Sequence, residues 1–317
     1  PDIKWEETET RNIGLDFGFL DHRVNGSFDV YYRETVDLIN EVAIPTGSNF
    51  SNKLLTNVGS MENKGFELAL NMIPIKRSHM SLNLGFNLTY NKSEITKLLM
   101  SDDPSYIGVL YGGSMTGYNQ VTRVGYAPYS FFVNKQIYDK ATGMPIEGLY
   151  ADLSGDGGSV AGENQDKYIY KKPAPDYLLG FSFRFNYKKF DLSASSRASI
   201  GNYVYNEVLS GTSYDQMYQI GYWKNMPRAH KDTQFVKRQF TSDYYVENAS
   251  FFKLDNITAG YNVGNLTDRL SAYVSLTAQN IWTITKYSGL DPEVEGGVDN
   301  NIYPRPQVFM LGINLSF

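Results

Sequence analysis

Over much of this sequence, large apolar or aromatic residues recur at every second position. From Met80 to Tyr90 every even position is large and apolar or aromatic, and the odd positions between them are small or polar. A strand turns such alternating sets to opposite faces, so a period of two predicts a sheet with one apolar and one polar surface. The pattern returns in Phe181, Phe183, Phe185 and Tyr187, in Leu270, Ala272, Val274, Leu276 and Ala278, and in Phe309, Leu311, Ile313, Leu315 and Phe317. It predicts nine strands, over about 12–20, 24–34, 64–72, 80–90, 177–187, 190–201, 250–262, 269–283 and 305–317. Several are long enough to cross a bilayer at a tilt. One changes phase: Phe252 and Leu254 share one parity, Ile257, Ala259 and Tyr261 the other, which predicts a β-bulge near Asp255-Asn256.

The connections alternate in length. Short ones fall at 21–23, 73–79, 188–189 and 264–268, and the others span about 29, 86, 48 and 21 residues. Tight turns at one end and long loops at the other match an antiparallel outer-membrane β-barrel, whose long loops face outward. With the long connections extracellular, the first and ninth strands both descend and Phe317 ends in the periplasm. Nine strands are an odd number and single-chain bacterial barrels use even ones, so the expectation is the C-terminal portion of a larger barrel. Residues 1–317 read as part of one barrel domain, with a plug and further strands outside this sequence.

Composition narrows the chemistry. Cysteine is absent, which removes thiol nucleophiles and thiolate metal sites. Aromatics reach 15%, with 25 Tyr and 18 Phe, and the net charge of −5 gives no basic surface for nucleic acid. The three histidines, His22, His79 and His230, form no evident triad, so no enzyme is expected. The acid pairs Asp102/Asp103 and Asp291/Glu293 read as solvated loop acids. The loop aromatics Tyr118, Tyr129, Phe131, Tyr205, Tyr222 and Trp223 either contact a substrate or surface partner or pack the loops on one another. Asp152, Ser154 and Asp156, with Gly157 and then Glu163, follow the spacing of a calcium loop. An Asx-rich surface turn explains the same residues.

Several stretches resemble one family. They are Ile3-Lys4-Trp5-Glu6 with Asn12 to Gly18, Asn57 to Glu67, the Asp152–Gly157 loop, Gln279 to Tyr287, Asp291-Pro292-Glu293, and Tyr303-Pro304-Arg305-Pro306 before a terminal Leu-Ser-Phe. In this order they resemble the C-terminal barrel region of SusC/RagA-type TonB-dependent transporters of the outer membrane. The acidic loop departs from the usual pattern at Ser154 and at Gly158-Ser159-Val160. The resemblance implies a barrel of about 22 strands, of which these would be the last nine. It implies a SusD-like surface lipoprotein lid, drive from TonB–ExbB–ExbD, and import of an oligosaccharide or peptide. Asn83, Asn87, Arg184, Arg197 and Gln279 would then line the passage, while Leu84, Phe181 and Phe183 face lipid. A passive porin or structural barrel is the alternative.

Overall fold

The computed structural model describes all residues except 1–2, 44–49, 52, 100–105, 114–116, 159–163, 215–227, 234 and 301–302. Nine strands form one antiparallel sheet, each paired with its neighbour in sequence among the nine. They are β1 (Glu7–Phe19), β2 (Val24–Ala43), β3 (Lys53–Arg77), β4 (Met80–Lys97), β5 (Tyr177–Tyr187), β6 (Phe190–Ile200), β7 (Phe251–Thr267), β8 (Leu270–Thr285) and β9 (Val308–Ser316). The nine predicted strands are all present and in the predicted order. Among the described residues, no helix is long and apolar enough to cross a membrane.

The register sorts the side chains into two faces. Phe183 lies opposite Leu84 on one side and Ala194 on the other, whereas Arg184 lies opposite Asn83 and Ser193. Followed across the sheet, the first face collects Ile13, Leu15, Phe28, Leu276, Phe309, Leu311 and Ile313. It is open to the surroundings: Ile13 is 82% exposed, Leu311 72% and Phe309 68%. An uncovered apolar surface of this extent is far larger than a soluble monomer tolerates, and lipid is the medium that suits it. The bulge falls where the phase change predicts it: Ser195 pairs with Asn256 and Ser196 with Leu254, leaving Asp255 as the extra residue.

The turns and loops differ from expectation in extent. β3 continues to Arg77 through a bulge between Met72 and Ile75, so the turn expected over 73–79 tightens to Ser78-His79. Likewise β7 runs to Thr267 and turns at Asp268-Arg269. The connection expected over 35–63 shrinks to 44–52, because β2 and β3 stay paired far beyond the alternating stretch, as far as Ala43 opposite Lys53. Adjacent apolar pairs, Leu38-Ile39 and Leu54-Leu55, break the alternation, so this extension carries no period-two signal. It is held by the ladder itself and by cross-strand contacts such as the Tyr32 hydroxyl on Glu62 at 3.3 Å and Lys53 on Glu41 at 2.5 Å.

The buried apolar core is not in the wall. The described residues of 98–176, 201–250 and 286–307 fold together at one end of the sheet. A four-stranded sheet orders 167–169, 130–134, 117–122 and 109–113, and a three-stranded one orders 246–248, 203–206 and 298–299. Between them Phe131, Val133, Tyr205, Leu209, Phe235, Tyr245 and Val246 pack into one cluster. These connections are thus a packed module with its own core, set on a wall whose buried apolar residues, such as Val58, Ile95 and Ala194, are scattered along the strands.

Phe183→Arg is expected to impair assembly in the membrane, since a cation at mid-bilayer costs about 2–4 kcal/mol. Arg184→Phe should disturb assembly less, and equal behaviour of the two on a heat-modifiability gel would contradict the facing assignment. Phe131→Ala, which empties about 3–5 kcal/mol of packing, should open residues 98–176 and 201–250 to protease while the strands keep their heat-modifiable band.

Candidate functional site

The strand pleat brings Asn83, Asn87, Arg184, Arg197 and Gln279 to the same, polar face. Asn83 and Ser193 flank Arg184, Asn87 and Arg197 flank Gly180, and Gln279 lies opposite Asn256. Around Arg184 runs a groove lined by Asn25, Asn71, Ser182, Ser193, Ser195 and Asn256. Among the described residues Arg184 has no ion-pair partner. One guanidinium therefore stands in a field of neutral donors and acceptors. Such a surface can exchange hydrogen bonds with a polar solute without holding it tightly.

Arg197 is different. Its Nη1 and Nη2 donate to the two oxygens of Glu293 at 2.6 and 2.9 Å, and its Nε donates to Asp255 at 3.0 Å. All three of its nitrogens are engaged by carboxylates of the protein. Lys253 Nζ donates to Asp291 at 2.7 Å and to Glu293 at 3.0 Å. Arg305 Nη1 meets Glu293 at 2.8 Å. The expectation that Asp291 and Glu293 are solvated acids is thus corrected. Asp291 is 6% exposed, and both acids are enclosed by cations from strands distant in sequence. The other acid pair, Asp102/Asp103, lies outside the described residues.

The loop aromatics divide. Phe131 and Tyr205 are fully buried in the loop cluster, and the Tyr205 hydroxyl accepts from Thr241 N at 3.0 Å. This corrects the expectation that they meet a substrate or lid: they have no surface to offer one. Tyr118 and Tyr129 are exposed at 52% and 48%, and Tyr129 packs on Tyr111 at 4.7 Å between ring centres, so this pair of sites can still take an apolar or sugar face. Tyr222 and Trp223 lie outside the described residues. Of the histidines, His230 is buried, with Nε2 against Thr212 Oγ1 at 2.8 Å, and burial pushes its pKa below the usual value. It stands far in sequence from the turn residues His22 and His79.

The acidic loop folds on its own carboxylates. Asp152 accepts from Ser154 Oγ at 3.2 Å, Gly155 N at 2.6 Å and Gly157 N at 3.1 Å. Asp166 accepts from the backbone of Leu153 and Ser154, each at 2.9 Å. Carboxylate oxygens of Asp152, Asp156 and Asp166 come within 4.8 Å of one another. Hard oxygen donors at this spacing suit a divalent cation such as calcium. Asp166 escaped the sequence reading because it lies beyond the twelve-residue loop frame, and Glu163 lies outside the described residues.

Comparison with known proteins agrees with this architecture. The family described as TonB dependent receptor-like, beta-barrel, matches residues 1–281. The TonB-dependent receptor SusC of Bacteroides thetaiotaomicron is 43% identical over 99% of this chain and 32% of its own length. Among solved structures, the RagAB peptide importer in its open-open state aligns over the whole chain and 35% of the importer chain, with TM-score 0.79 and 26% identity. Its closed-closed state does so over 36%, with TM-score 0.77 and 28% identity. The chain spans about a third of the length of these relatives. The alignment spans the whole nine-stranded meander and its loop module, and the chain belongs to the TonB-dependent receptor-like β-barrel family, in its SusC/RagA-type branch.

Proposed function

We propose that this chain is the C-terminal part of a transporter that imports an oligosaccharide or peptide across the bacterial outer membrane. The observation that carries the reading is the two-faced wall in a chain of this family: an exposed apolar surface suited to lipid, backed by a polar surface that includes Asn83, Asn87, Ser182, Arg184 and Ser193. Residues 1–317 form part of a single barrel domain whose remaining strands close the sheet, since an open edge leaves unpaired N–H and C=O groups that hydrocarbon cannot satisfy. The loop module faces outward and Phe317 faces the periplasm. A SusD-like lipoprotein covers the loop module as a lid, and TonB–ExbB–ExbD supplies the work through an N-terminal plug. Asn83, Asn87, Arg184 and Gln279 line the route, and exposed Tyr118 and Tyr129 contact the substrate or the lid. No nucleic acid takes part, because the chain is acidic.

The experiment is uptake by cells expressing the full transporter, supplied in turn with oligosaccharides and with peptides as nutrient. Growth is expected to depend on both the transporter and TonB. Uptake that persists without TonB would instead make the protein a passive porin.

We also propose that Asp152, Asp156 and Asp166 hold a calcium ion that fixes the loop containing them, a structural and not a catalytic role. Chelation with EGTA should then expose residues 151–166 to protease. Asp152→Asn should reproduce that exposure in the presence of calcium, and protection unchanged by the chelator would leave an Asx-rich turn as the full account.

A further inference from the structure

Residues 287–299 are tied to three separate parts of the molecule. The first tie is to the wall. Arg197, Lys253 and Arg305 face Asp255, Asp291 and Glu293, three cations against three anions. Arg197 Nη1 and Nη2, Lys253 Nζ and Arg305 Nη1 all converge on Glu293, at 2.6 to 3.0 Å. The side chains of Lys253 and Asp291 are each only 9% exposed.

The second tie is to residues 201–250. Glu247 accepts from Ser288 N at 2.8 Å and from Ser288 Oγ at 2.7 Å, and Asn206 Nδ2 donates to Ser288 Oγ at 3.1 Å. Val298 and Asp299 add a short parallel strand to Tyr205 and Asn206. The third tie is to residues 98–176. Gln120 Nε2 donates to Gly296 O at 2.7 Å, and Gly297, at φ +79, sits so close to Pro173 and the Phe131 ring that a Cβ there would strike Pro173. Within the segment, the Tyr287 hydroxyl donates to Asp299 at 2.6 Å.

We infer that residues 287–299 are a fixed support laid on the polar face, which sets the width of the route, with Glu293 as the positioning residue that holds it there. This rests on the import reading. Three properties favour a fixed support over a moving gate or a binding surface. Its ties reach three bodies at once, so displacing it breaks all of them together. Asp291 and Glu293 are matched by Arg197, Lys253 and Arg305, which leaves Glu295 as its one exposed carboxylate without an ion pair among the described residues, so it discriminates by size more than by charge. The fold that contains it matches open-open and closed-closed importers about equally, at TM-scores of 0.79 and 0.77.

The test uses the full transporter in cells, with a graded length series of neutral oligosaccharides and one of peptides. In Glu293→Gln the heat-modifiable band should persist and protease should gain access to residues 287–299. Short solutes should enter within about twofold of the parent rate, while the longest solute admitted becomes longer. A second variant separates attachment from charge. In the double variant Arg197→Cys with Glu293→Cys, uptake should resemble that of Glu293→Gln, and bridging the thiols with a bis-maleimide should restore the parental length limit. A bridge that stops uptake of every length would make the segment a moving gate. A uniform loss of affinity at all lengths, not corrected by the bridge, would make it a binding surface. Either result overturns the inference, as does a length limit unchanged in the unbridged variants. Absence of energised uptake by the parent transporter would instead overturn the import reading itself.

Discussion

In hydrocarbon there is no water to satisfy a backbone amide or carbonyl, and the rest of this structure follows from that constraint. A meander of long antiparallel strands pairs each inner N–H and C=O with a neighbour, from β1 opposite β2 to β8 opposite β9. Once the ladder carries the wall, side chains need not supply a core. They are free to be apolar where they meet lipid and polar where they do not, which is why Phe183 and Arg184 can be adjacent in sequence and face different media.

Beyond the lipid-suited band the constraint changes. The strands run on as polar ribbons, and the chain between them behaves as a water-facing protein with ordinary burial. Phe131, Tyr205 and Tyr245 there exclude water from a shared interior, as a cluster of seven buried residues. The last connection meets both regimes. Its acids reach down to cations on the wall, and its backbone extends the small sheets above.

This division decides what was legible in the sequence. Alternation located all nine strands and the bulge because lipid imposes a period of two on whatever it touches. The outer halves of β2 and β3 were invisible, since Leu38-Ile39 and Leu54-Leu55 break the period of two and Asp37, Asn40, Glu41 and Asn57 among them resemble a loop. The five polar positions were legible as a shared face, but not which of them is already engaged. Arg197 and Glu293 are 96 residues apart, so nothing local in the sequence distinguishes a paired charge from a solvated one. A separation of 38 residues hid the pairing of Asp291 with Lys253 in the same way. For the aromatics, composition predicted that the long loops need a core of their own, but not that Phe131 and Tyr205 would be spent on it while Tyr118 and Tyr129 stay outside.

The extra residue in β7 has a consequence of its own. Below it, Asn256 and Thr258 point to the polar face, and above it Lys253 does so as well, although its parity is opposite. Asp255 is the single step that reconciles them. Without it, every side chain on the upper part of the strand would exchange sides: Lys253 would enter lipid, and Leu254 and Phe252 would enter the polar interior. One residue of chain length here therefore acts as a parity bit for the segment above it. Insertions and deletions in this strand are not graded injuries whose severity grows with their size. A change of one residue inverts the segment, whereas a change of two restores it.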